Sequence, residues 1–353
     1  MLLGRASIWQ HISSGMSKIM MDKKLKLRNS LLLLLTATIW GVAFVAQSVG
    51  MQYIEPFTFN CVRCFFGGIV LIPCIWLLNR LEHAKEREEA NRESLLTTDI
   101  GTQRENKNSK EKKTQWRVLF TGGILCGICL CLGSNLQQFG IVYTTVGKAG
   151  FITAFYIIIV PILGLFFHRK CGVTVWVGVL LALVGLYFLC ITNNDAASEV
   201  ERLIPWIPVG KGEFLLFIGA SAFSLHILVI DHFTQMADGV KMSCIQFFVC
   251  GILSAVGMVL TEQPQIADIF RAWQPILYAG IMSCGVAYTL QIVGQKGMNS
   301  TVASLILSLE SVISVLAGMI LLSQRLSSRE ILGCVLMLAA IILAQLPSTV
   351  NNK

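Results

Sequence analysis

QKGMNSTVASLILSLESVISVLAGMILL, residues Gln295 to Leu322, has a polar, small-residue start that runs into an apolar stretch with one acid, Glu310, near its middle. An apolar helix of this length matches the hydrocarbon thickness of a bilayer. A carboxylate inside lipid costs roughly 2.5 to 3.5 kcal/mol on insertion scales, so an acid there faces a bundle interior or a watery cavity. Glu310 therefore needs a partner, a proton or a substrate.

The rest of the chain agrees with a membrane setting. Of 353 residues, 54% are hydrophobic and only 14% charged, and the mean hydropathy is +0.68, which leaves too little polar surface for a water-soluble fold. The net charge of +8 does not point to nucleic acid. Most Lys and Arg fall before Arg28 or between Arg80 and Arg117, flanking apolar spans as the positive-inside rule requires, without the interleaved aromatics of a stacking surface. The 12 cysteines sit mostly in apolar runs, where Cys acts as a small hydrophobe, and imply no disulfide framework. Cys61 with Cys64, and Cys126 with Cys129 and Cys131, lack a His or second CxxC at a zinc spacing, so no metal and no cofactor is expected.

Windows of about 20 apolar residues give ten spans: Ser30–Val49, Phe57–Leu78, Val118–Phe139, Ala149–Phe167, Val173–Ile191, Glu213–Ile230, Met242–Leu260, Gln274–Val293, Thr301–Leu322 and Ile331–Leu346. With the N-terminus inside, the basic leader, the charged loop from Asn79 to Gln115, the His168–Lys170 turn, Lys241, Lys296 and the tail share the cytoplasmic side. Lys148, Arg202, Lys211, Arg271, Arg325 and Arg329 face the other side, which favours both termini in the cytoplasm of a multi-pass cell-membrane protein. The leader reads as cytoplasmic rather than as a secretory signal, with Met16, Met20 and Met21 as alternative starts. The charged loop has both charge signs and few aromatics, and reads as flexible or partly helical. Thr192 to Gly212, with Pro205, Trp206 and Pro208, reads as an interfacial connector.

The segment from His168, HRKCGVTVWVGVLLALVGLYFL, parallels that from Ser323, SQRLSSREILGCVLMLAAIILA, and Gly178 and Gly333 keep the same 155-residue offset. NCVRCFFGG around Arg63 parallels SCIQFFVCG around Gln246 at an offset of 183, because the charged loop belongs to the first half alone. Two five-helix halves follow, and an odd number of spans per half inverts one against the other. The expected fold is an all-α membrane protein of ten transmembrane helices in two inverted five-helix repeats. The parts are a leader (1–29), a first repeat (30–191, with the loop 79–116), an extracytoplasmic connector (192–211), a second repeat (212–346) and a tail (347–353).

The phrases ATIWGVAFVAQ from Ala37, YTTVGKAGFITAFYIIIVPILGL from Tyr143, GEFLLFIGASAFSLHILVID from Gly212 and VAYTLQIVGQKGMNSTVASLILSLESV from Val286 resemble the EamA-type transporters of the drug/metabolite transporter superfamily. The resemblance covers Leu31 to Leu346. It implies a ten-helix carrier in the inner or plasma membrane that moves amino acids, metabolites or drugs, with export favoured. Two positions depart from the family pattern: Ser311 stands where a proline commonly follows the glutamate, and Gln324 where an acid often precedes the last helix. Without that proline the helix around Glu310 is expected to run unkinked.

Polar residues at helical spacing mark stripes on three spans: Trp40 with Gln47, Asn135 with Gln138, and Tyr288 with Gln291 and Gln295. Each either lines a cavity or bonds a neighbouring helix. Arg63 either snorkels outward from its span, holds an anionic substrate group, or pairs with Glu310. Lys148 opposes a helix dipole at the start of its span, which suggests a partner or substrate contact. Thr153 and Tyr156 can add hydroxyls to the same cavity. His226, deep in its span, is a packing residue or a proton relay, and Gln246 belongs to the repeat stretch that parallels Arg63. Gly123 and Gly127 read as close helix packing.

Neither Gly147-Lys148 nor Gly210-Lys211 has the first glycine of a P-loop, and no HExxH or GxSxG motif occurs, so an enzyme and an ATP-driven pump are not expected. The leading expectation is a secondary transporter working by alternating access, with Glu310 as coupling or binding acid. Its partners are a small-molecule substrate and the lipid bilayer; a proton or another coupling ion and a homodimeric second copy stand open. The rival is a non-transporting receptor or scaffold acting through the loop 79–115.

Overall fold

Inside a bilayer there is no water to satisfy backbone N–H and C=O groups, so each apolar window closes its own hydrogen bonds as a helix. The computed structural model describes residues 3–94, 105–144, 146–166, 172–190, 202–204, 207–321 and 328–345. The first three helices are long: α1 (Leu3–Gly50), α2 (Pro56–Ser94) and α3 (Glu105–Val142). α2 and α3 thus continue as helix into the charged stretch on either side of residues 95–104, which lie outside the described residues. Then come α4 (Val146–Thr153), α5 (Tyr156–Phe166) and α6 (Val173–Cys190). The second part holds α7 (Lys211–Phe233), α8 (Gly239–Thr261), the short α9 (Ile266–Arg271), and α10 (Trp273–Leu277), which leads through a π-helical segment, Tyr278–Tyr288, into α11 (Thr289–Gln295). It ends with α12 (Ser300–Leu307), α13 (Glu310–Leu321) and α14 (Ser328–Gln345).

Among the described residues, eight helical stretches are long and apolar enough to cross a membrane. The other two of the ten windows fold as shorter apolar helices, Val173–Gly185 and Ile331–Leu343. Among the described residues the fold is helical but for one hairpin in the connector, where β1 (Arg202–Ile204) and β2 (Ile207–Gly210) pair antiparallel. The two residues between those strands match the shortest common hairpin spacing, a signal that the reading of this stretch as an interfacial connector did not use. Trp206 lies outside the described residues.

The span around Glu310 is broken, contrary to the unkinked helix expected from the missing proline. α12 stops at Leu307 and α13 starts at Glu310. Serines do what proline was expected to do. Ser304 Oγ donates to Thr301 O, Ser308 Oγ to Leu305 O (2.7 Å), Ser311 Oγ to Ser308 O and Ser314 Oγ to Ser311 O. Each hydroxyl draws a carbonyl off the regular ladder, and such back-bonding bends helices. At the break the backbone tightens to three-residue turns, Leu309 N to Ile306 O and Ser311 N to Ser308 O. The span expected at Ala149–Phe167 breaks too, between Thr153 and Tyr156.

Element boundaries recur along the chain. Gly50 and Phe233 end α1 and α7, and Pro56 and Gly239 begin α2 and α8, each pair 183 residues apart. Val146 and Ser300, Thr153 and Leu307, and Tyr156 and Glu310 bound the two broken helices at a constant offset of 154. α6 and α14 match end to end at an offset of 155.

The packing follows the same relation. A β-carbon on Gly251 would meet Phe65 Cε2 at 3.3 Å, and one on Gly68 would meet Phe248 Cε2 at 3.1 Å. These are the same contact read from either helix, since 183 separates Phe65 from Phe248 and Gly68 from Gly251. With Phe57 against Gly257, they set α2 antiparallel to α8. The Phe65 and Phe248 rings meet edge to face at 6.2 Å. α6 and α14 approach as closely, a β-carbon on Gly185 falling 2.9 Å from Gly333 O. Gly123 and Gly127 pack α3 on Ile245 and Val249 of α8, as their spacing implied.

The end of α8 is tied to the start of α2. Glu262 Oε1 accepts from Phe57 N, and Oε2 from Thr58 N and Thr58 Oγ1, all at 2.7 Å. One carboxylate thus satisfies amides that a helix start leaves without partners, at the positive end of the helix dipole.

Candidate functional site

The two broken helices meet at their breaks. Tyr156, the first residue of α5, donates its hydroxyl to Oε1 of Glu310, the first residue of α13, at 2.9 Å. Discontinuous helices are how membrane carriers turn backbone ends toward a buried ligand. At the α13 N-terminus the helix dipole favours a negative group, so Glu310 occupies the position in its span best suited to a carboxylate.

A cavity opens around this pair. α1 contributes Trp40, Phe44 and Gln47, α2 contributes Arg63, and α7 contributes Phe223, His226 and Ile227. Gln137, Thr153 and Leu307 line it beside the breaks, and the wide turn of the π-helical segment brings in Ser283 and Tyr288, with Gln291 following on α11. The wall is mixed: the Trp40 and Tyr288 rings lie 4.5 Å apart at 57°, and His226 stands edge-on to Tyr288 at 5.9 Å.

Some polar groups of the wall are satisfied within it. His226, 1% exposed, pairs Nε2 with Gln246 Oε1 at 3.0 Å; an amide oxygen only accepts, so Nε2 carries the proton. Gln246 Nε2 donates in turn to Ser243 Oγ, and Gln137 Nε2 donates to Thr153 Oγ1 at 3.1 Å. Other groups are buried without a hydrogen-bond partner among the described residues: Trp40 Nε1, Gln47 Oε1, Arg63 Nε and Gln291 Oε1. Buried polar groups in native proteins are nearly always paired, so these four atoms are places where water or a polar ligand can bind.

A model of the EamA-like transporter family matches residues 28–90, 94–191 and 210–346. The chain belongs to the EamA-like transporter family. Similar proteins include an uncharacterized transporter of Archaeoglobus fulgidus, 28% identical over 318 residues, covering 89% of this chain and 84% of that one. The uncharacterized transporter YwfM of Bacillus subtilis is 21% identical over 323 residues, with 89% and 92% covered. A solved structure described as "Crystal structure of protein" superposes with a TM-score of 0.65 at 16% identity, over 91% of this chain and 97% of that one, a likeness of fold.

In this EamA-like transporter, nine of the residues singled out in the sequence line one cavity: Trp40, Gln47, Arg63, Thr153, Tyr156, His226, Tyr288, Gln291 and Glu310. Gln246 stands behind the wall, holding His226. Arg63 is 3% exposed and does not snorkel, and no described carboxylate, Glu310 included, forms an ion pair with it. Lys148 lies on the first turn of α4, with its side chain outside the described part of the structure.

Asn135 and Gln138 lie off the cavity. Asn135 accepts from Asn60 Nδ2 at 2.8 Å and donates to Ser254 Oγ at 2.9 Å, joining α2, α3 and α8, while Gln138 donates to Gln47 O of α1. The α3 residue that reaches the cavity is their neighbour Gln137, which the stripe reading passed over. Its signal was only a second adjacent glutamine, and the facing helix decides which of two neighbours points inward. Asn135→Ala is therefore expected to lower the thermal midpoint of unfolding in lipid nanodiscs without weakening cargo binding. In a double-mutant cycle with Ser254→Ala the coupling is expected at about 0.6 kcal/mol, the usual value for an interhelical hydrogen bond in a membrane.

Proposed function

We propose that this EamA-like transporter is a secondary active carrier that exports a small organic metabolite, amino acid or drug across the cytoplasmic membrane by alternating access. The observation that carries the reading is the cavity at the paired helix breaks, with Glu310 hydrogen-bonded to Tyr156 across them. The carrier consists of two inverted five-helix repeats, 30–191 and 212–346, joined by the connector 192–211, with both termini cytoplasmic. The recurrence of element boundaries at offsets of 183, 154 and 155, and the antiparallel packing of α2 on α8, support this architecture.

Cargo binds between the repeats, where one rocks against the other to expose the cavity to either side in turn. Glu310 is the coupling acid. It holds a proton or another cation in one half of the cycle and releases it in the other, and Tyr156 keeps its carboxyl aimed at the cavity. Arg63, His226, Tyr156 and Tyr288 are the other ionisable groups around it. Trp40, Gln47, Thr153, Tyr288 and Gln291 supply the stacking surface and hydrogen bonds that orient the cargo.

The test uses purified full-length protein in proteoliposomes preloaded with a labelled metabolite extract. Loss of particular compounds on imposing a pH gradient, relative to protein-free vesicles, is the expected result. A profile identical to protein-free vesicles, with or without the gradient, overturns the transport reading.

A further inference from the structure

Among the described cavity residues Arg63 is the one with a permanent positive charge, and no ion pair holds it. The residue is 3% exposed, its guanidinium carbon lies 5.6 Å from the Phe59 ring centroid, and its Nε–H has no hydrogen-bond partner among the described residues. Burying an unpaired charge costs far more than a cation–π contact at that range offsets. Trp40 Nε1–H, a second donor of the same cavity, is likewise buried and without a partner. Two orphan donors in the wall of one cavity, one of them charged, suit an anionic acceptor.

We infer that Arg63 and Trp40 form an anion subsite and that the cargo is a small organic monocarboxylate bound there. The inference rests on the cavity being the cargo site. Charge balance selects the class. With Glu310 carrying its proton, a single carboxylate neutralises Arg63, whereas a phosphate dianion would leave an excess negative charge in the cavity. The planar guanidinium fork fits a carboxylate edge. Gln47 Oε1 and Gln291 Oε1, the two orphan acceptors, fit hydroxyl or ammonium donors on the rest of the cargo.

The experiment compares matched acid and amide pairs on the full-length protein in nanodiscs: propionate with propionamide, 3-phenylpropionate with its amide, and phenylalanine with phenylalaninamide. Chloride is the third arm. Thermal stabilisation is titrated for the wild type, Arg63→Gln, Arg63→Lys and Trp40→Phe, at one pH and without a gradient. At least one acid is expected to bind at least about tenfold more tightly than its amide. That preference disappears in Arg63→Gln, is reduced in Arg63→Lys, which keeps the charge but loses the fork, and is reduced in Trp40→Phe, which keeps the ring but loses the donor. If Arg63→Gln does not fold, the Lys and Phe variants carry the comparison.

Acids and amides binding alike, no acid binding at all, or an acid preference that survives the substitutions would overturn the inference. So would chloride reproducing the whole shift, which would mark a site for any small anion. Because the readout is binding, a protein that prefers acids yet carries no flux loses the transport reading and keeps this one. One that carries flux and ignores the carboxylate does the reverse.

Discussion

Glu310→Gln is expected to abolish gradient-driven transport, lowering flux under an imposed pH difference by about tenfold or more, while the protein folds as before. The exchange is nearly isosteric, and the amide oxygen still accepts the Tyr156 hydroxyl that now sits 2.9 Å from Oε1. What it removes is the titratable proton and the charge at the α13 N-terminus. A carboxylate inside a membrane carries a penalty of roughly 2.5 to 3.5 kcal/mol that a protein keeps only for a purpose, so the thermal midpoint should hold or rise. Flux with and without the gradient, beside thermal unfolding of the same preparation, separates the two effects. Exchange of labelled for unlabelled cargo at equal pH should persist, since it needs no net proton movement. Undiminished gradient-driven flux in the glutamine variant would remove Glu310 from the coupling role and leave it a cargo contact.

Gly41→Ala is expected to be the most damaging single-methyl change around the cavity, costing about 1 to 3 kcal/mol of stability and most of the transport activity. The added β-carbon would fall 2.4 Å from Ile313 Cβ, 2.6 Å from Ile313 Cγ2 and 2.8 Å from the backbone oxygen of Glu310. A backbone atom cannot rotate away, so α13 itself must shift from α1 and take Glu310 off Tyr156. Gly147→Ala is the control. Among the described residues its β-carbon would meet only Val315 Cγ2, at 3.7 Å, and alanine near the start of α4 gains helix propensity over glycine, at most about 0.8 kcal/mol. Thermal unfolding of the two variants should move in opposite directions. Equal behaviour would mean that the α1–α13 contact gives way easily.

Much of the architecture was legible because two kinds of signal repeat along the chain. Apolar length marked the spans, and the pairing of NCVRCFFGG with SCIQFFVCG already carried the 183-residue offset at which α2 and α8 pack. The breaks were not legible in the same way. Proline was the feature looked for, and the helix is instead interrupted by serines whose hydroxyls reach back to carbonyls three residues earlier, a conformation that a serine in a helix does not have to adopt. The site shows the same division. The polar stripe on α1 and, Gln295 aside, the one at the end of the Trp273–Gln295 stretch mark residues that do line the cavity. The stripe on α3 is real too, but Asn135 spends its hydrogen bonds on α2 and α8, and its spacing alone could not tell those helices from a cavity. Arg63 was readable as a snorkelling residue because it lies only two turns into its span. The direction it faces is a property of how α2 packs, and that direction makes it a cavity residue.

The contact between Tyr156 and Glu310 also bears on how such a protein could have arisen. On the proposed architecture these two occupy equivalent places in their repeats, 154 residues apart, and they touch. In an ancestral pair of identical subunits, a residue in that place would have faced its own copy. Two tyrosines there would leave the cavity without its acid, and two glutamates would set like charges in contact inside a membrane, where both could not stay ionised. Once the two copies differ in sequence, each side of the contact can change by itself. The pairing of a tyrosine donor with an acid at the centre of the molecule is thus a chemistry that two distinct repeats make available and two identical ones do not.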